Sequence, residues 1–139
     1  MSNRYRLFLL VLIAFGLAIS VITATDLCTF GACTEVHKYL LFGFSFTPIG
    51  IAFFILAGLF VSLTNRFPGA QLLFNLLLAG AGGAEINMIL LQKNVIGAWC
   101  PLCIAAAVIV YILALSQLVG YFYSLKEEFQ MNLKTFGKP

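Results

Sequence analysis

Four long stretches of this chain carry no charge or a single one, and that limits what it can fold into. Leu7 to Thr25, Tyr39 to Asn65 and Asn94 to Leu125 are uncharged, and Phe67 to Gln92 is broken only by Glu85. A helix crosses the hydrocarbon core of a bilayer, about 30 Å thick, with about 20 apolar residues. Each run is long enough for that. Across the whole chain 62% of residues are hydrophobic and 9% charged, against roughly 25% charged in a soluble domain. The mean hydropathy is +1.03. There is too little polar surface to coat a water-soluble globule, and no basic patch suited to nucleic acid. The expectation is an all-α membrane protein. It would be a single domain over 1–139, a bundle of four transmembrane helices at about 6–25, 46–64, 69–91 and 101–124. The first run also has the basic start and small-residue end of a signal peptide, but its apolar stretch is long for one.

Lysine and arginine favour the cytoplasmic side of short loops. With the N-terminus inside, Arg4, Arg6, Arg66, Lys126, Lys134 and Lys138 face inward, whereas only Lys38 and Lys93 face outward. Both termini are then cytoplasmic, and the loops at 26–45 and 93–100 lie outside. All four cysteines, Cys28, Cys33, Cys100 and Cys103, then lie on that outer side. The outer compartment is where disulfides form and persist.

The loops carry local signals of their own. Asn65-Arg66-Phe67-Pro68-Gly69 predicts a tight turn between antiparallel helices. Residues 34–42, TEVHKYLLF, predict a short interfacial helix in the first outer loop, with Thr34 as N-cap and Glu35 in its first turn. Gly80, Gly82 and Gly83 predict close approach of a neighbouring helix, with a ligand as the alternative. The tail after Leu125 predicts a polar helix end that frays.

Cys100-Pro101-Leu102-Cys103 opens the last apolar run. Proline suits the first helical position, where its missing N–H costs nothing. Cys100 then falls at or near the N-cap and Cys103 within the first turn. Exposed amides and the helix dipole there stabilise a thiolate, the species that performs disulfide exchange. Cys28 and Cys33 form a second pair, with Gly31 letting the short segment bend. Two dithiols on one side of a membrane suggest an electron relay. Two other readings stay open. The four thiols, with His37 as a further ligand, could hold a metal such as zinc in a thiol-ligated metal-binding membrane protein. They could instead be structural disulfides in a non-enzymatic membrane subunit.

The order of these motifs resembles the bacterial homologues of vitamin K epoxide reductase, quinone-linked membrane proteins that form disulfides. GLAISVITATDLCTFGAC, SFTPIGIAFF and QKNVIGAWCPLC carry the resemblance, which extends over nearly the whole chain to Ser124. DsbB proteins, similar in mechanism, carry the C-x-x-C pair early rather than last. The resemblance implies a quinone-dependent protein-disulfide-forming oxidoreductase of the bacterial inner membrane, with its active cysteines on the periplasmic side. It implies that Cys28 exchanges with a separate thioredoxin-fold, DsbA-like protein, and that Cys33 shuttles to Cys100. Cys103 would then sit against the quinone, ubiquinone or menaquinone, under a cap formed by residues 34–42. Two features depart from the epoxide reductases: Ala107 stands where they carry a tyrosine, and Gly43 to Thr64 contains no asparagine. Both argue against epoxide reduction, and they leave the quinone's polar contacts unassigned.

Glu85 is an ionisable group at membrane depth, which marks a functional candidate. It could contact the quinone and relay a proton to it. The competing reading is a neutral, hydrogen-bonded carboxyl. Trp99 and the phenylalanines read as interface and packing residues.

Overall fold

The computed structural model describes residues 3–25, 40–41, 44–97 and 99–136. Among them are four α-helices: α1 (Asn3–Ala24), α2 (Phe46–Leu63), α3 (Pro68–Leu91) and α4 (Pro101–Phe136). A five-residue π-helical turn, Gln92–Ile96, extends α3. Cys28, Cys33 and His37 lie outside the described residues, as do positions 34–39 of the expected interfacial helix. Phe42 lies outside them as well, and Leu40 and Leu41 of that segment are not helical. Leu40–Leu41 (β1) pairs antiparallel with Phe44–Ser45 (β2), Leu40 opposite Ser45 and Leu41 opposite Phe44.

Three helical spans, Asn3–Ala24, Gly69–Val95 and Pro101–Tyr123, are long and apolar enough to cross a membrane. This is a multi-pass membrane protein. Helix α2 is equally apolar but shorter, at 18 residues. At about 1.5 Å per residue it reaches about 27 Å, just under the usual hydrocarbon thickness. Helix α4 continues to Phe136 instead of fraying after Leu125. Lys, Glu, Gln, Met and Leu in that tail are strong helix formers, and no glycine or proline interrupts it before Gly137.

The connection between α2 and α3 is the expected tight turn. The amides of Arg66 and Phe67 both donate to the Leu63 carbonyl, at 2.9 and 3.0 Å. Phe67 is extended (φ −131°, ψ 116°), as a residue before proline tends to be, and Pro68 opens α3. At this end the Arg6 guanidinium donates to the Ser62 carbonyl at 3.2 Å, tying the start of α1 to the end of α2.

Helices α1 and α3 each pack chiefly against α2 and α4, which closes the four into a ring. The inward positions recur every three or four residues along α1 and the first half of α3, and again at the end of α3. They are Leu9, Ile13, Gly16, Ser20 and Thr23 on α1, and Ala70, Phe74, Leu78, Met88 and Gln92 along α3 and its π-turn. This spacing is the seam of a left-handed bundle. At Gly16 the seam becomes very close, because the Phe54 ring of α2 lies where a side chain on residue 16 would be. Phe53 and Phe54 meet edge to face, 4.9 Å between centroids. The outward positions are apolar too: Leu7, Phe15, Leu72, Leu115 and Phe122 are each at least 60% exposed. A soluble protein could not leave such a surface bare, whereas lipid solvates it.

Candidate functional site

The antiparallel course of the helices brings the end of α1, the start of α2, the end of α3 and the start of α4 to one end of the bundle. There they surround a cavity of about 510 Å³. Its wall is mostly apolar and includes Ile19, Ile49, Phe53, Phe54, Leu76, Leu77 and Met88. The polar contributions are few: Ser20 and Thr23 from α1, Thr47 from α2, Glu85 from α3 and Cys103 from α4. The Ser20 and Thr23 hydroxyls donate back to the carbonyls of Gly16 and Ile19, at 3.0 and 2.7 Å. Their oxygen lone pairs remain able to accept.

Small residues make the space. Gly80, Ala81 and Ala84 of α3 and Ala106 of α4 line it. The expectation that Gly80, Gly82 and Gly83 let a neighbouring helix approach is corrected here. Among the described residues, nothing lies within 4 Å of where a Cβ would stand at any of the three. Gly80 lines the cavity.

The cysteine pair sits where the spacing places it. Cys100 immediately precedes α4, Pro101 is the first helical residue and Cys103 the third. The Cys103 amide donates to the Cys100 sulfur at 3.4 Å, so the sulfur caps the helix as a serine oxygen would. Cys100 is fully buried and Cys103 nearly so, at 0% and 8% exposure. Hydrogen bonding from the Cys103 side chain, aided by the Cys103 and Leu102 amides, draws the Cys100 thiol down to about 6 despite the opposing effect of burial. Cys103 opens onto the cavity and shares its wall with Glu85.

Gln92, which the sequence reading passed over, is 1% exposed at the start of the π-turn. Its side-chain carbonyl accepts the Cys100 amide at 3.2 Å, and its backbone carbonyl accepts the Gly97 amide at 2.9 Å. Gly97 adopts φ +67°, a left-handed conformation that glycine enters without strain. Ser20 and Thr23 were also passed over. Their three-residue spacing on an otherwise apolar helix puts them on one face, which is the signal that could have found them.

The structure therefore brings Cys100, Cys103 and Glu85 to one end of the bundle. Trp99, half exposed beside the pair, is outside the cavity wall. Among the described residues, no three His, Cys, Asp or Glu side chains cluster closely enough to hold a metal ion. No family model, curated protein or solved structure matches this chain.

Proposed function

We propose that this chain is a membrane thiol–disulfide oxidoreductase that passes electrons from a thioredoxin-fold protein to a membrane quinone. One observation carries the reading: Cys103, next to a Cys100 sulfur disposed to be a thiolate, opens onto a half-open apolar cavity at the end of the helix bundle. A reactive dithiol whose acceptor were water-soluble would gain nothing from that placement. The cavity volume falls within the range of about 300–1,000 Å³ usual for small-ligand sites. Its apolar wall suits a quinone ring and tail. Ser20, Thr23, Thr47 and Glu85 are the polar side chains on that wall, alongside Cys103.

A quinone, ubiquinone or menaquinone, accepts two electrons and two protons and leaves as quinol. The chain's own residues supply the rest. A thiolate of the partner attacks the Cys28–Cys33 disulfide, and the released Cys33 thiolate attacks Cys100 in the Cys100–Cys103 disulfide. Resolution of each mixed disulfide by its neighbouring cysteine leaves the partner oxidised and the C-x-x-C pair reduced. Re-closing the Cys100–Cys103 disulfide gives up two electrons as the Cys103 S–H bond breaks, and these electrons would pass to the quinone. One proton comes from the Cys103 thiol and the other through Glu85. The proposal includes α2 as a fourth span, slightly short for the bilayer and accommodated by local thinning. It also places both termini in the cytoplasm and all four cysteines on the periplasmic side of the bacterial inner membrane.

The test mixes purified protein with a reduced thioredoxin-fold partner and a quinone, and follows quinone absorbance. The expected result is one quinol per partner disulfide. Folded protein that exchanges thiols yet never reduces quinone would overturn the reading. So would stoichiometric, tightly held zinc, which is the signature of the thiol-ligated alternative. On intact cells, an impermeant thiol reagent should reach the loop pair after reduction. Labelling only in inverted vesicles would reverse the orientation.

A further inference from the structure

We propose that Gln92 is a positioning residue for the cysteine pair: its side-chain carbonyl holds the Cys100 backbone and so fixes the Cys100 sulfur over the first amides of α4. The inference deepens the thiol-exchange reading and rests on it for its purpose. Three observations carry it. Gln92 is the one glutamine shut away from solvent among the described residues, at 1% exposure, and it lies at the end of a membrane helix, where a polar side chain could readily have faced water. It grips the following loop twice, with its backbone carbonyl on Gly97 and its side-chain carbonyl on Cys100. The grip forms at a π-helical turn, a costly local geometry that recurs at functional sites.

The geometry explains why the grip matters. An N-cap residue turns its own amide away from the helix while its side chain turns back toward the third amide. At Cys100 the outward amide is buried, and a buried N–H without an acceptor is costly. The Gln92 carbonyl removes that cost. The sulfur is thereby left facing the Cys103 amide at 3.4 Å. Were the Gln92 acceptor lost, the Cys100 peptide would rotate to find another partner and carry the sulfur off the helix axis. The thiolate would lose donors, and the reduced pair would lose its stabilisation relative to the disulfide.

Gln92→Met keeps the length and buried volume of the side chain and removes the acceptor. The measurement uses the full chain with Cys28 and Cys33 changed to alanine, so that only Cys100 and Cys103 titrate. Thiolate absorbance is followed against pH, and the pair's equilibrium is measured against a dithiol buffer. In the parent the lower midpoint should lie near pH 6. Gln92→Met should raise it by about one unit, the scale of a lost hydrogen bond to a thiolate. It should also shift the exchange equilibrium about tenfold toward disulfide, equivalent to about 30 mV for two electrons. Phe74→Leu, in the distant core, should lower stability and leave the midpoint in place. Coincident titrations for Gln92→Met and its parent would overturn the proposal, as would an equal shift from Phe74→Leu. Hydrogen exchange on the unmodified chain gives a check that needs no variant. The Cys100 amide should be as protected as those inside α4, and rapid exchange there would also overturn the proposal. None of these measurements involves quinone or partner. A chain that passes them and still fails to reduce quinone defeats the functional reading alone.

Discussion

Where α2 turns into α3, the interior of the bundle is filled by Leu9, Val61, Phe74 and Leu113, all of them fully buried. At the opposite end the same four helices present Ser20, Thr47, Glu85 and Cys103 around open space, with Gly80, Ala81 and Ala84 where large side chains could have stood. The inward seam of α3 runs through both regions, from Phe74 and Leu78 past Ala81 to Glu85 and Met88. In a bilayer the hydrophobic effect does not drive helices together, so close van der Waals contact must. The filled end supplies that contact. The hollow end gives it up, and every candidate functional group described lies there. Support and chemistry have thus been divided along the length of single helices.

The sharpest way to break this contrast is Cys103→Ala, which should abolish quinone reduction and leave unfolding in detergent unchanged, since it trims one group at the hollow end. Retained quinone reduction would remove Cys103 from the relay. Phe74→Ala should do the reverse. It should cost about 3 kcal/mol of stability by opening a void in the filled end, while the surviving folded fraction turns over normally. Equal losses of activity and stability would mean the two ends are not separable. Gly80→Leu sharpens the contrast from the hollow side by placing a side chain in the cavity. It should raise the KM for quinone on the order of tenfold, about 1.4 kcal/mol, with no loss of stability. A destabilised Gly80→Leu would show that Gly80 is packing after all. Glu85→Gln should have the smallest effect, a slowing of about tenfold, below the range typical of a sole proton donor. Its rate should also lose part of its pH dependence, while partner exchange is unaffected. Superimposable pH profiles would make Glu85 a structural carboxyl.

How much of this could be read in advance follows from what lipid does to sequence patterns. The helix starts at Pro68 and Pro101 were legible because proline marks a first turn whatever the solvent. Glu85 and the C-x-x-C pair were legible because charge and thiol chemistry stand out in an apolar run. The cavity was not. In water, an inward seam is apolar against a polar outside; here Phe15 faces outward and Phe54 inward, and hydrophobicity does not distinguish them. The inward face is marked by smallness and mild polarity instead, as at Gly16, Ser20, Thr23 and Gly80, and such residues read individually as unremarkable. Gln92 was passed over because a glutamine at a helix end ordinarily faces the interface. Only its burial against Cys100 separates it from that class. The length of α4 was underestimated because a polar tail was equated with an unstable one, although its residues are good helix formers.

The filled end has a consequence for membrane energetics. Among the described residues it is an apolar plug: Phe54, from the cavity wall, closes on Gly16, and Val61, Phe74 and Leu113 lie beyond. If thiols are oxidised as proposed, the protons they release and the protons the quinone takes up meet the same aqueous side, and the electrons stay with them. No net charge then crosses the bilayer. A charge that did cross would gain or lose about 2.3 kcal/mol per 100 mV, and turnover would slow or quicken with the state of energisation of the cell. Under the proposed reaction the turnover would be electrically silent, and its rate should be the same in energised and de-energised vesicles.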